Sequence, residues 1–386
     1  MSLIKLLFRN AMRHKLRTIL TILGVAVTIM AFTFMRTVIS AWNAGVASSS
    51  ANRLVVVHSV SFVFSLPLAY QEKIQQVKGV NTVAYAEWFG GIYKDCKPKN
   101  FFARYAVDEN FLKVYPEFMV PPDQLAAYNA EQNSCIIGKK TAQAQGFKIG
   151  DIIPIEGDIY PGKWQFVVRG FYEGKEKSTD ETAMLFHWKY VDENQRKISV
   201  RRAGRVGWYI LQVDNPSESA RISEEIDSQF KNSEAPTKTE TEKAFQQGFV
   251  SMSGAILRAL DFISYVIIGV ILLVLANTMA MTARERNKEY AVLKTIGFTG
   301  KHLVLLIAGE SVLIACIGGA IGLVLALPMV HGLQNAFSTW FPILPGLKVI
   351  MLLGALTAIA VGFVAALFPA LRASKIRIAD GLRQVG

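Results

Sequence analysis

The chain has 386 residues, 51% of them hydrophobic, and a mean hydropathy of +0.29, which excludes an ordinary soluble enzyme and leaves room for membrane spans plus a separate domain. Its net charge of +12 is not a nucleic-acid signature. Residues 41–255 carry 25 Lys plus Arg against 25 Asp plus Glu, so the large middle segment is neutral and the excess lies beside the apolar windows.

Residues 2–16 set Leu3, Leu6, Leu7 and Phe8 among Lys5, Arg9, Arg13 and Lys15, which suits either an amphipathic helix on a membrane surface or a plain basic flank. Four uncharged windows follow along the chain, residues 18–35, 262–283, 311–330 and 349–371. Each is long enough for a hydrocarbon core of roughly 30 Å. The first is longer than a signal-peptide core and reads as an uncleaved anchor, with Arg36 placed to snorkel toward headgroups. Residues 1–17, residues 284–301 and the tail from 372 hold 14 positive charges against Glu285, Glu289 and Asp380, whereas residues 331–347 hold none. The positive-inside rule then predicts cytoplasmic termini, a cytoplasmic 284–301 loop and an outer domain over 41–255.

In the outer domain the patterning predicts strands over 53–58, 82–88, 101–107, 134–137, 152–156, 165–170, 183–186 and 206–213. Helices are expected over 68–77, over 139–145 with Gly146 as the stop, and over 217–230. The expectation is an α+β domain of two lobes, with residues 134–190 inserted into the first. Cys96 and Cys135 fall here, and in an oxidising compartment they either bridge or remain two free thiols. Residues 241–260 continue a helical pattern into the second span, a rigid rod that Gly248 or Gly254 is able to kink.

The segment over 284–301, RERNKEYAVLKTIGFTGK, is small, basic and helical in pattern. Glu285 and Lys288, and Arg286 and Glu289, stand three apart on one face, while Tyr290, Leu293 and Ile296 form an apolar stripe and Gly297 a stop. It is either a piece built to be gripped by a partner or a solvated turn. In the third span Gly318 and Gly322 are four apart, and the fourth has Gly354, Ala358 and Gly362 on one stripe and ends at Pro369; small residues at that spacing let helices approach closely. Glu310, about two turns into the third span, is expected to be paired, protonated or turned to the bundle interior. Trp340 and Phe341 suit interface depth.

No catalytic constellation emerges. His14, His58, His187, His302 and His331 are scattered, with no HExxH or CxxC spacing for zinc, no G-x-S-x-G elbow and no G-x-x-x-x-G-K-[ST] loop. No metal site or cofactor is expected in this chain, and energised work would draw on another subunit.

Three stretches resemble one family: residues 276–303 (ANTMAMTARERNKEYAVLKTIGFTGKHL), Glu310 with residues 318–323 (GGAIGL), and residues 368–386 (FPALRASKIRIADGLRQVG). Together with residues 136–155 (IIGKKTAQAQGFKIGDIIPI) they are similar to the MacB/FtsX-type permeases of ABC transporters, which include lipoprotein-releasing subunits. Ile378 stands where that family often has proline. The resemblance implies four transmembrane helices with a large α+β extracytoplasmic domain between the first and second, in a bacterial inner membrane. It places spans over 18–40, 256–283, 303–330 and 349–371, a coupling helix over 284–302, a cytoplasmic helix over 1–17, an outer loop over 331–348 and a tail over 372–386. Glu285, Glu289, Tyr290, Leu293, Lys294 and Gly297 would lie on the helix that such permeases insert into an ATPase groove.

Implied partners are a second permease chain, identical or not, two copies of a separate ATPase that binds ATP and Mg, membrane lipid, and a periplasmic adaptor or lipoprotein. Because 17 residues precede the first span, the fused ATPase of the macrolide-exporter type is not expected here. The implied activity is mechanotransmission that extracts or propels a hydrophobic or lipidated substrate. The competing reading is a non-transporting regulator that uses the same stroke to activate a periplasmic hydrolase or sensor. A membrane-embedded enzyme ranks third.

Overall fold

A computed structural model describes residues 11–176, 179–198, 203–336 and 347–375. The first ten residues, Trp340, Phe341 and the tail from 376, with Ile378, lie outside the described residues. Helix α1 (Lys15–Ser48) follows a single 3-10 turn at Met12–His14 and carries the first candidate membrane span, Met12–Asn43.

The α/β domain then opens on β1 (Arg53–His58), whose RLVVVH sequence is β-branched and buried along nearly its whole length, as a central strand should be. In order follow β2 (Leu66–Pro67), α2 (Tyr70–Gln75), β3 (Val80–Trp88), β4 (Arg104–Val107), α3 (Phe111–Val114), β5 (Phe118–Met119) and α4 (Pro122–Ala130). Next come β6 (Ser134–Gly138), α5 (Lys139–Gln145), β7 (Ile152–Gly157), β8 (Gly162–Gly174) and β9 (Met184–His187). The domain closes with α6 (Trp188–Ile198), β10 (Arg205–Val206), β11 (Trp208–Val213), α7 (Ser219–Phe230), β12 (Thr237–Thr241) and α8 (Glu242–Met252).

Among the described residues the strands form one ten-stranded sheet in the order β12-β1-β11-β3-β4-β9-β6-β8-β5, with β7 on β8, and a two-stranded ribbon of β10 and β2. The expected two lobes are therefore a single sheet: β6 to β9 are inserted in sequence but extend the sheet through parallel pairing of β4 with β9, Arg104 opposite Met184. That pairing satisfies the backbone edge two separate sheets would expose. Alternation sends successive residues to opposite faces, so Val83 and Tyr85 join one core with Phe166 and Ile226, while Ala84 and Ala86 join another with Ile136 and Tyr172. Helices cover both faces, α2 and α7 on the first, α3 and α4 on the second. Gly146 closes α5 at φ +73° in the left-handed region, as its position suggested.

The Cys96 to Cys135 bridge does not form. Both are free thiols, and Cys135 is sealed inside the larger core while Cys96 is exposed on a surface loop. A buried charged cluster ties β1 to α8. Arg53 donates from Nε to Glu242 at 2.8 Å and pairs with Glu117 at 2.7 Å, and its guanidinium lies 4.3 Å from the centre of the Tyr115 ring. Tyr115 donates its hydroxyl to Glu242 at 3.1 Å, and the Ser50 amide donates to the same carboxylate at 2.8 Å.

The remaining helices are α9 (Gly254–Glu285), α10 (Asn287–Thr295), α11 (Gly300–Ala336) and α12 (Leu347–Ser374). The three long ones carry the other candidate spans, Gly254–Glu285, Gly300–Gly332 and Leu347–Ser374. Two expectations change. The rod over 241–260 is interrupted at Ser253, whose φ −90° and ψ 6° leave the helical region between α8 and α9. Pro369 does not end the fourth span, because the helix runs on to Ser374; proline forgoes one backbone hydrogen bond, a loss a membrane helix tolerates.

The small residues of α11 and α12 lie against neighbouring helices. A Cβ on Gly318 would stand 2.7 Å from Val25 Cβ and one on Gly354 would stand 2.8 Å from Leu323 Cδ2. Gly322 lies against the Ala26 carbonyl of α1, Ala358 against Gly319, and Gly362 against Ala315. These close approaches surround a core of Val25, Ile29, Leu275, Ile314 and Val361. Arg36, instead of reaching freely for headgroups, pairs with Asp261 at 2.8 Å and lies over the Phe32 and Tyr265 rings.

Candidate functional site

The 284–301 stretch lies at the end of the bundle where α1 begins, α9 ends, α11 begins and α12 ends. Helix α9 stops at Glu285, Arg286 departs from helical geometry at φ −100°, and α10 runs for 9 residues. Gly297 at φ +105° then ends it. The Gly297 amide donates to Lys294 O and the Phe298 amide to Leu293 O, the paired bonds of a Schellman cap that only a left-handed residue permits.

Three ion-pair systems and one hydrogen bond fasten this short helix and the last residue of α9 before it to the bundle. Arg17 forks onto Glu285 with bonds of 3.0 and 2.9 Å, and His14 Nε2 lies 3.5 Å from the same carboxylate. Arg13 bonds Glu289. Arg286 donates from Nε to Glu289 at 2.9 Å and from Nη1 to Glu310 at 3.0 Å. Lys294 donates to the carbonyl of Ser374, at the last turn of α12, at 2.7 Å. Glu310 is therefore paired and interior: its side chain is 5% exposed and that of Arg286 9%. Burial alone would raise the Glu289 carboxyl, but the bonds from Arg13 and Arg286 outweigh it and hold the group below the usual carboxylate range.

Of the six residues expected to meet a partner, Glu285, Glu289 and Lys294 are bound inside the chain, and Gly297 is exposed at the cap. Tyr290 turns inward. It is 1% exposed among Ala283, Leu303, Ile307, Ala370 and Ala373, with Leu293 packed against the same cluster, and its hydroxyl is pushed up to about 12 by burial. The outward apolar residues are Val292, Ile296 and Phe298, so the expected stripe splits: two of its members serve the bundle and Ile296 faces out. Three-residue spacing names neighbours on a helix without saying which face a second helix will cover.

The residues missed at the sequence level are Arg13 and Arg17 as clamps and Arg286 as the partner of Glu310, while its pairing with Glu289 follows the three-residue spacing. One signal was available: a carboxylate within a span demands a cation, and Arg286 stands on the loop leading directly into Glu310's helix.

A polytopic membrane protein with a short clamped helix between its second and third spans, and a large α/β domain between its first and second, is the class defined by these features. Two family models fit it, an FtsX-like permease C-terminal domain over residues 262–378 and a MacB-like periplasmic core domain over residues 18–229. The second covers more than half the chain, and the chain belongs to the MacB/FtsX-type permeases of ABC transporters.

Among curated relatives, the chain is 22% identical to the uncharacterized ABC transporter permease MJ1507 of Methanocaldococcus jannaschii, covering 99% of this chain and 98% of that one. It is 23% identical over 212 residues to the uncharacterized ABC transporter permease protein Rv0987 of Mycobacterium tuberculosis, covering 54% of this chain and 23% of the relative. Among solved structures, the periplasmic region of MacB from Actinobacillus actinomycetemcomitans superposes with a TM-score of 0.38 at 10% identity, over 53% of this chain and 95% of that one. The extracellular domain of the noncanonic ABC-type transporter YknZ from Gram-positive bacteria gives 0.35 at 12% identity, over 49% and 99%.

Proposed function

We propose that the chain is the force-receiving permease subunit of an ABC transporter whose ATP and Mg are bound by a separate ATPase. Two ATPase copies and a second permease chain complete the assembly, which sits in the cell's inner membrane with the clamped helix and both termini cytoplasmic. Closure of the ATPases displaces α10, and the α/β domain on the outer side moves to extract or propel a hydrophobic or lipidated substrate.

The observation that carries this reading is that a helix of 9 residues, with the residue that begins it, is fastened at three separate points: Glu289 to Arg13 in the turn before α1, Arg286 to Glu310 of α11, and Lys294 to Ser374 O of α12. A push on its exposed side, at Val292, Ile296 and Phe298, reaches three spans at once. A solvated turn has no need of such anchoring. The test is an Ile296→Asp chain co-expressed with the ATPase encoded nearest to it. Co-purification should fall to background while the chain itself still inserts and extracts normally. Undiminished co-purification, with Phe298→Asp equally silent, rules out this face as the grip.

A further inference from the structure

The connection between β1 and β2, residues 59–65 (SVSFVFS), gathers four exposed apolar side chains in seven residues, whereas the other exposed apolar side chains of the domain stand singly along the chain. Val60 is 73% exposed and Val63 75%, with Phe62 and Phe64 exposed beside them. The Phe62 ring stands 4.8 Å from that of Phe249 on α8, which in turn stands 5.0 Å from Phe245. Met252, on the last turn of α8, is 73% exposed. Neither segment carries a charge of its own: no Asp, Glu, Lys or Arg occurs in residues 59–71 or 244–257. A soluble domain does not keep such a surface wet without a use for it.

What covers it follows from where the chain goes next. Met252 is two residues, and Phe249 five, from Gly254, where the second candidate membrane span begins. At a rise of about 1.5 Å per helical residue, Phe249 is tied within roughly 8 Å of chain to the membrane helix. Aromatic and aliphatic side chains without charge, a few residues before a span in the chain or in contact with those that are, match the boundary between headgroups and acyl chains. The polar residues of 59–65 and 244–257 are all uncharged, Ser59, Ser61 and Ser65 in one and Gln246, Gln247, Ser251 and Ser253 in the other, which suits headgroup depth.

We propose that residues 59–65 with Phe249 and Met252 form a membrane foot, which inserts its apolar side chains into the adjacent leaflet and so fixes the near edge of the α/β domain to lipid. The occupant is the bilayer itself. Phe62 is the joint of the foot, because its ring bridges the loop to α8.

The test uses the full chain with Cys96→Ser and Cys316→Ser, which leaves the buried Cys135, in nanodiscs of phosphatidylcholine and phosphatidylglycerol. A nitrobenzoxadiazole label is attached at a Val63→Cys site or, for comparison, at an Ile159→Cys site on the turn between β7 and β8, which is flanked by Glu156, Asp158 and Lys163. The label at position 63 should emit to the blue of the label at 159 and be quenched by lipid carrying a nitroxide high on its acyl chain; the label at 159 should remain aqueous and unquenched. A second set with Phe62→Ser and Phe64→Ser should lose most of the quenching at 63. Aqueous, unquenched emission at 63 overturns the proposal. So does a blue shift without lipid quenching, which assigns the patch to a protein contact or a second copy of this chain.

Discussion

Arg53 in the α/β domain and Arg286 in the helical bundle are both nearly buried, with side chains 7% and 9% exposed, and each bridges two carboxylates. Their surroundings differ. Around Arg53 the network is nearly closed: Glu242 is 6% exposed and Glu117 25%, Tyr115 both stacks on the guanidinium and bonds Glu242, and the Ser50 amide fills a remaining acceptor. Around Arg286 it is open: Glu310 is 5% exposed, but Glu289 is 40% exposed and shared with Arg13, which is 58% exposed. A closed network resists any single change because every group that leaves strands another. An open one passes from buried to wet in steps, each small, which is the property a movable joint needs.

The largest effect is expected at the closed network. Arg53→Met removes the only cation between Glu242 and Glu117 among the pairs seen there and should destabilise the α/β domain by about 3–5 kcal/mol, the usual loss when one partner of a buried pair is removed. Thermal unfolding of the detergent-solubilised full chain, with limited proteolysis over 41–253, reads it. A shift no larger than that of a surface arginine such as Arg221 would mean the network is not closed.

Next comes the buried half of the open network. A cycle of Arg286→Gln, Glu310→Gln and the double variant should give a coupling of about 1–3 kcal/mol in bundle stability, since the groups touch at 3.0 Å away from water. Each single variant should also weaken stimulation of the partner ATPase by substrate while leaving co-purification intact. Additive single effects would show that the pair does not act as a unit.

The contrast bears on what sequence reveals. The four spans were legible because length and absence of charge are local properties, and the Gly146 and Gly297 stops were legible because a left-handed residue is required at those points. Glu310 was conspicuous for the same reason, a charge where none belongs. What was not legible depended on partners distant in sequence. Arg53 and Glu242 are 189 residues apart, Arg13 and Glu289 276, and nothing local couples them. Strand β12 and helix α6 also escaped notice: TKTET has little apolar signal until β1 covers it, and WKYVDENQRKI is mostly polar, with Trp188 and Val191 as its buried apolar anchors. The parallel joining of β4 to β9, which turned two expected lobes into one sheet, belongs to this class as well.

The smallest effect is expected at the wet end of the open network, and it separates the two regions most directly. Arg13→Ala should cost no more than about 1 kcal/mol, because its carboxylate partner Glu289 is 40% exposed and solvent screens the pair. The loss should shrink further as salt is raised. Its pH dependence has a definite sign. Glu289 is held below the usual carboxylate range in the folded chain, so its contribution is present above the ordinary carboxylate value and disappears as pH falls through the lower folded value. Unfolding midpoints of the parent and Arg13→Ala chains should therefore differ at neutral pH and low salt, and converge both in acid and in high salt. A difference that survives both conditions would place Arg13 in a closed network like that of Arg53, and the joint would then lack its loose end.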